Sequence, residues 1–170
     1  METAIFAGGC FWCLEEPFCS LIGVVSVIPG YVECPEPNPS YKQICTGKYG
    51  REAVRITYDP TIVSYEELLS LFWRNIDPTD EGGQFADRGE QYKTAIYCVN
   101  SAQYETAVNS KSELESSSKF NRPIRTEVKE ATEFYPAELS HQQYFRKNPQ
   151  HYQQYKKGSG RQDFITRNWK

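Results

Sequence analysis

Thr3-Ala4-Ile5-Phe6-Ala7-Gly8-Gly9-Cys10-Phe11-Trp12-Cys13 changes its period partway along. Thr3 to Ala7 reads as a short buried strand, and Gly8-Gly9 ends it. From Cys10 to about Ser20 the spacing fits a helix, with Glu15 and Glu16 inside it and Pro17 set to shorten or kink it. Val24 to Tyr31 follows as a second strand, rich in β-branched residues and closed by Pro29-Gly30. A strand, a helix and a strand in that order predict a βαβ core.

The same alternation continues outward. Residues 32–50, with Pro35, Pro37, Pro39, Gly47 and Gly50, read as a long loop, and loops of that length in a compact domain are usually functional. Val54, Ile56 and Tyr58 alternate with Arg55, Thr57 and Asp59 as a strand. Ser64-Tyr65-Glu66-Glu67 is a capping box opening a helix with Tyr65, Leu68, Leu69, Phe72 and Ile76 on its apolar face. A polar loop over 77–91 leads to a buried strand from Thr94 to Val99, a helix over 101–117 and a strand through Ile124, Thr126 and Val128. Pro136 to Arg146 is predicted as a helix, and an irregular basic tail starts at about 147. The prediction is one α/β (α+β) domain over 1–170, a mixed β-sheet with packed helices and long active-site loops.

Composition narrows the function classes. At 170 residues and 19.6 kDa, the chain is large enough to bury a core without a disulfide or metal staple. No apolar run approaches the ~18 residues of a membrane span. Met1-Glu2-Thr3 lacks the basic start of a secretory signal, so a cytoplasmic protein is expected. Residues 141–170 carry seven basic side chains against Asp163 alone, whereas residues 1–140 carry a net −9. Such a tail can point to nucleic acid, but an electrostatic match to the acidic body explains it more simply, so no nucleic-acid partner is expected. In a reducing compartment, Cys10, Cys13, Cys19, Cys34, Cys45 and Cys98 are catalytic, metal-binding or buried rather than paired.

Cys10 is the informative residue. At a strand-to-helix junction, free N–H groups and the positive end of the helix dipole converge, which favours a thiolate and predicts a lowered pKa. Gly8 and Gly9 would leave room for a substrate, and Phe11 and Trp12 would wall an apolar site. The ordinary alternative, a cysteine acting as a small buried hydrophobe, leaves the glycines and the second thiol unexplained. A zinc site lacks its second ligand pair, since His141 and His151 have no ligand spacing, so no metal is expected. A thioredoxin-like dithiol oxidoreductase competes, because C-x-x-C at a helix start is its signature. So does a non-enzymatic module docking methionine peptides in an aromatic groove.

Gly9-Cys10-Phe11-Trp12 after a short strand resembles the active-site motif of the A-type peptide methionine sulfoxide reductases. The likeness continues in order through Gly30-Tyr31, Asn38-Pro39-Ser40-Tyr41, Gly50-Arg51-Glu52-Ala53-Val54, Tyr58-Asp59-Pro60, Asp77-Pro78-Thr79, Asp87-Arg88-Gly89, Gln91-Tyr92 and His141-Gln142-Gln143-Tyr144. The resemblance implies reduction of methionine S-sulfoxide, free or in oxidised proteins, with thioredoxin or another thiol reductant returning the electrons. It implies no metal or organic cofactor and a monomer off the membrane. It assigns Cys10 as nucleophile, Glu52 as general acid, Tyr41 and Tyr92 as donors to the sulfoxide oxygen, Asp87 as their support, and Phe11 and Trp12 as the seat of the S-methyl group. Two departures stand out. Where the family usually has a glycine pair after Gly-Tyr, this chain has Val32-Glu33-Cys34-Pro35, and its tail, with Gly158-Ser159-Gly160-Arg161, holds no recycling cysteine.

A sulfenic acid on Cys10 must then be resolved from within the chain or by an external thiol. Cys98 lies in a buried apolar strand and is expected to be inert. Cys19 is nine residues on, about 13 Å along a helix, beyond the ~7 Å that a disulfide spans. Cys13 is three residues on, at about 5–6 Å between Cα atoms, which makes it the expected resolving cysteine. Cys34 and Cys45, in the long loop, rank second and third.

Overall fold

The computed structural model describes residues 1–169. Its elements in chain order are β1 (Glu2–Ala7), α1 (Phe11–Cys19), β2 (Val24–Val32), α2 (Tyr41–Ile44), β3 (Arg51–Tyr58), α3 (Tyr65–Arg74), β4 (Gly83–Gln84), β5 (Asp87–Arg88), β6 (Ala95–Cys98), α4 (Ser101–Ser116), β7 (Glu127–Glu130), β8 (Tyr135–Pro136), α5 (Tyr144–Lys147), α6 (Pro149–Gly158) and α7 (Arg161–Asn168).

Six strands make one mixed sheet in the order β7-β6-β1-β3-β2-β8. β3 lies between β1 and β2 and is antiparallel to both, with Phe6 opposite Val54 and Tyr31 opposite Glu52. β1–α1–β2 is therefore a split βαβ unit, and β6–α4–β7, whose strands pair in parallel, is an unsplit one. The expected mixed sheet with packed helices is what forms.

The alternation of β1 explains its central place. Ala4 and Phe6 join the larger core under the helices, where the Phe6 ring lies 4.9 Å from that of Phe72 and 5.6 Å from that of Phe18. Ile5 and Ala7 face the other side with Ala53, Ala95, Tyr97 and Phe134. That face is finished by polar pairs: Glu33 accepts from the Tyr97 hydroxyl at 2.6 Å and pairs with Lys129, while Arg51 donates to Glu127 at 2.8 Å. Glu33 has φ 54°, the left-handed region that favours glycine. At α3 the capping box forms, with Ser64 Oγ accepting from Glu67 N–H at 3.1 Å and Glu67 Oε2 from Ser64 N–H at 2.7 Å.

Four expectations need correction. The loop over 32–50 contains α2, started by a second capping box between Ser40 and Gln43. Pro136 to Arg146 is no continuous helix: Tyr135–Pro136 pairs with β2, residues 139–141 make a short 3-10 turn, and Gln143 at φ 54° separates that turn from α5. The tail from 147 is not irregular. Pro149 opens α6, where its missing N–H costs nothing, and Gly160 at φ 93° turns the chain into α7. The last strand also starts later than expected, at Glu127, while buried Thr126 shares a 2.8 Å hydrogen bond with Thr94.

Candidate active site

Cys10 is the N-cap residue of α1 and is 6% exposed; Cys13, one turn on, is fully buried. Cys13 N–H donates to the Cys10 carbonyl at 3.1 Å, which tightens this turn, and the two cysteines pack in one cluster with Tyr152 of α6. The glycines before them serve packing. A Cβ on Gly9 would lie 2.6 Å from Gln84 Cβ and 2.8 Å from Arg161 Nη2, and one on Gly8 would lie 2.8 Å from Leu14 Cδ1. Their expected use, clearing a path for substrate, is corrected: protein side chains fill that space.

Glu52, on β3, is 1% exposed and aimed at the start of α1, where its Oε1 accepts from Phe11 N–H at 3.2 Å. Burial pushes its carboxyl up to about 8, against the pull of that hydrogen bond, so it holds a proton at neutral pH. Tyr41, the first residue of α2, and Tyr92, at the end of the 90–92 turn, both feel Glu52 and Cys10, and burial first and these neighbours next keep both phenols protonated. The β4–β5 hairpin brings Asp87 to the same place, where burial raises its carboxyl and Tyr155 of α6 donates a hydrogen bond to it.

The expected thiolate at Cys10 is also corrected. Burial, then the hydrogen bond and charge of Cys13, then Glu52 and Asp87 hold the Cys10 thiol well above its ordinary value. These outweigh the helix terminus because the site is closed to water. The same hydrogen bond, followed by the charges of Arg161 and Lys156, brings Cys13 down to about 7 despite its burial. The one hydrogen bond thus raises Cys10 and lowers Cys13.

Aromatic rings close the site. Phe11 is turned inward, 5.8 Å from Tyr31 and 5.6 Å from His141. Trp12 stacks on Tyr144 at 3.9 Å, and its Nε1–H donates to His141 Nδ1 at 3.3 Å. His141 in turn lies 4.3 Å from Tyr41. All eight residues expected at the site gather here: Cys10, Phe11, Trp12, Cys13, Tyr41, Glu52, Asp87 and Tyr92. Cys34 does not join them, as its Sγ lies beside Gly50, whereas Cys45 faces the Tyr41 hydroxyl. The sequence reading missed His141, Tyr144, Tyr152, Tyr155 and Arg161 as site residues. The His141-Gln142-Gln143-Tyr144 and Gly158-Ser159-Gly160-Arg161 segments signalled His141, Tyr144 and Arg161; nothing in the sequence signalled Tyr152 or Tyr155.

Residues 2–170 match the family model described as peptide methionine sulfoxide reductase. Among curated relatives, the peptide methionine sulfoxide reductase MsrA of Bacillus pumilus is 51% identical over 99% of this chain and 95% of its own length. Among solved structures, Mxr1 of Saccharomyces cerevisiae in reduced form superposes with a TM-score of 0.81 at 30% identity, over 88% of this chain and 86% of the yeast one. The methionine sulfoxide reductase A of Corynebacterium diphtheriae gives 0.77 at 34% identity, over 87% and 75%. Mxr1 has also been solved in complex with Trx2, a structure sharing this fold at 19% identity with a TM-score of 0.58 over 84% of each chain. Read with a cysteine pair and a buried acid under aromatic walls, these likenesses have one meaning: the chain belongs to the peptide methionine sulfoxide reductase family.

Proposed function

We propose that this chain reduces methionine S-sulfoxide, free or in oxidised proteins, to methionine, through a sulfenic acid on Cys10, a disulfide to Cys13 and recycling by thioredoxin. One observation carries the chemistry: two hydrogen-bonded buried cysteines stand beside a carboxyl that burial keeps protonated at neutral pH. The Cys10 proton and the Glu52 proton are the ones that leave as water. Cys10 passes its proton to Cys13 and attacks the sulfoxide sulfur as the thiolate, while Glu52 protonates the sulfoxide oxygen. The oxygen passes to the Cys10 sulfur as the substrate's S–O bond and the transient bond between the two sulfurs break, methionine departs, and Cys10 is left as a sulfenic acid. The proton that Cys13 took from Cys10 passes to Glu52. Cys13 then attacks the Cys10 sulfur, the S–S bond forms, and hydroxide leaves as water with that proton. The sulfur atoms carry both electrons, so the step needs no prosthetic group.

Tyr41 and Tyr92, both protonated, are the donors that hold the sulfoxide oxygen, and Asp87, held by Tyr155, orders the wall beside them. Phe11 and Trp12 take the S-methyl group on apolar surface. Thioredoxin attacks the disulfide at Cys10, the more exposed sulfur, and expels Cys13; a thioredoxin partner fits the Trx2 complex of the yeast relative. A compartment that keeps thiols reduced, such as the cytoplasm, suits six unpaired cysteines.

The test is incubation with racemic methionine sulfoxide and dithiothreitol, followed by chiral separation. Consumption of the S-epimer alone, lost in Cys10→Ser, is the expected result. Turnover of disulfides with no sulfoxide reduction would favour the dithiol oxidoreductase, and peptide binding indifferent to Cys10→Ser would favour the binding module.

A further inference from the structure

Glu138 lies away from the reacting sulfurs, yet it touches two walls of the site at once. It is exposed, just ahead of the short 139–141 turn, and both oxygens of its side chain are taken. Oε1 accepts from the Tyr31 hydroxyl at 3.0 Å, and Oε2 accepts from Tyr41 N–H at 3.1 Å. Tyr31, on β2, is fully buried, with its ring 5.8 Å from that of Phe11. One side chain thus ties the strand behind Phe11 to the first residue of α2.

That tie answers a need of α2. A helix of four residues cannot repay its own nucleation, so contacts from outside must keep it in place. Its capping box closes the turn through the N–H groups of Ser40 and Gln43, and buried Ile44 anchors its far end. The N–H of Tyr41 is one of the donors that a helix leaves free at its start, and Glu138 takes it. Three residues on, the same turn ends at His141, whose ring lies 4.3 Å from the Tyr41 ring and accepts from Trp12 Nε1–H at 3.3 Å. Tyr41 is therefore held at its backbone by Glu138 and at its ring by His141.

We propose that Glu138 is a positioning residue for sulfoxide reduction: braced on Tyr31, it fixes the start of α2 so that the Tyr41 hydroxyl meets the sulfoxide oxygen, a role that rests on Tyr41 being a donor to that oxygen. Without the brace the hydroxyl is still present but is free to shift, and a displacement of about 1 Å can cost on the order of 10²-fold in rate. His141 still limits the movement, so the expected loss is smaller. Glu138 touches no reacting atom, and its effect runs through Tyr41.

A double-mutant cycle reads that dependence. Methionine formation is timed in a single turnover of reduced enzyme at saturating methionine sulfoxide, with near-UV circular dichroism to check folding. Tyr41→Phe should slow the step by about 10²-fold, the usual loss for one donor to an oxygen that gains charge, and Glu138→Ala by about tenfold. The double variant should be no slower than Tyr41→Phe alone, because a hydroxyl that is gone cannot be misplaced. Glu138→Leu, which keeps bulk without an acceptor, takes the place of the Ala variant if that chain does not fold. Glu138→Gln should keep at least about a third of the rate, since its amide oxygen can accept from Tyr41 N–H while its amide group donates to the Tyr31 hydroxyl. Losses that multiply in the double variant, a Glu138→Ala rate equal to that of the unaltered chain, or a Gln variant as slow as the Ala one would each overturn the proposal and leave Tyr41 as a donor. An unaltered rate in Tyr41→Phe overturns the donor reading itself, and the proposal with it.

Discussion

Glu52 and Glu15 are both buried carboxyls, and their surroundings give them opposite meanings. Glu52 is held up to about 8 by burial and stands beside Cys10. Its acid form is present below that value and is lost above it, so sulfoxide reduction should fall as pH rises through about 8. Glu52→Gln should slow single-turnover methionine formation by about 10²–10⁴ and abolish that alkaline limb; rapid quench across pH measures both. Glu15 is buried on α1 behind the cysteines. Its Oε1 accepts from Gln143 N–H at 2.6 Å, its Oε2 has no partner, and burial raises it from 4.5 to about 7. A carboxyl raised on folding favours the native state most below its ordinary value, and that stability is lost as pH rises through the folded value. Glu15→Gln should therefore raise the melting temperature at pH 8.5 by at least ~3 °C and change it little at pH 4.5, as scanning calorimetry would record. Neither assignment is legible from residue type. By residue type Glu15 and Glu52 look alike; the family motif singles out Glu52, and only the contacts show Glu15 as a buried carboxyl behind the cysteines.

At the scale of elements, the site is made by short pieces that stop where a functional side chain is needed. α1 begins at the cysteine because Gly9, at φ 84°, turns the chain out of β1. α2 is a single turn, yet its capping box fixes Tyr41 at the rim. That box, Ser40-x-x-Gln43, was readable in the sequence and was obscured by three neighbouring prolines. Gly9→Ala should be destabilising by about 1–3 kcal/mol, because the new methyl meets Gln84 and Arg161 and the backbone is left-handed. Urea unfolding measures it. A Gly9→Ala chain as stable as the original would mean that this turn relaxes and that the glycine has no packing role.

For the whole molecule, the C-terminal helices close over α1 and the turn before it. The basic segment after 141 packs its rings and cations against α1: Tyr144 on Trp12, Lys156 and Tyr152 on Glu16, and Arg161 on Gly8. The excess positive charge is thus partly an internal match to the acidic body. Truncation after Asn148 should uncover Cys13, now fully buried, and the inner side of Trp12. Alkylation of Cys13 should then rise at least about tenfold at pH 8, and a fluorescent apolar probe should bind more strongly. Unchanged protection of Cys13 in the folded truncation would show that α6 and α7 are not its cover.

Periodicity in the sequence alone determined β1, the reach of α1, the α3 capping box and the α/β layering, because these depend on contacts between residues close in the chain. The motif around Cys10 likewise carried the family. Three things waited for the tertiary structure: the opposite shifts of the Cys10 and Cys13 thiols, the raised acid at Glu52, and the tail's role as a wall of the site. Protonation is set by burial and by charges brought from distant segments, Asp87 and Arg161 among them. The tail is helical without a clean apolar stripe, because its inward residues, Tyr152, Tyr155 and Arg161, are polar-tipped and were indistinguishable from surface until the core they enter was in place.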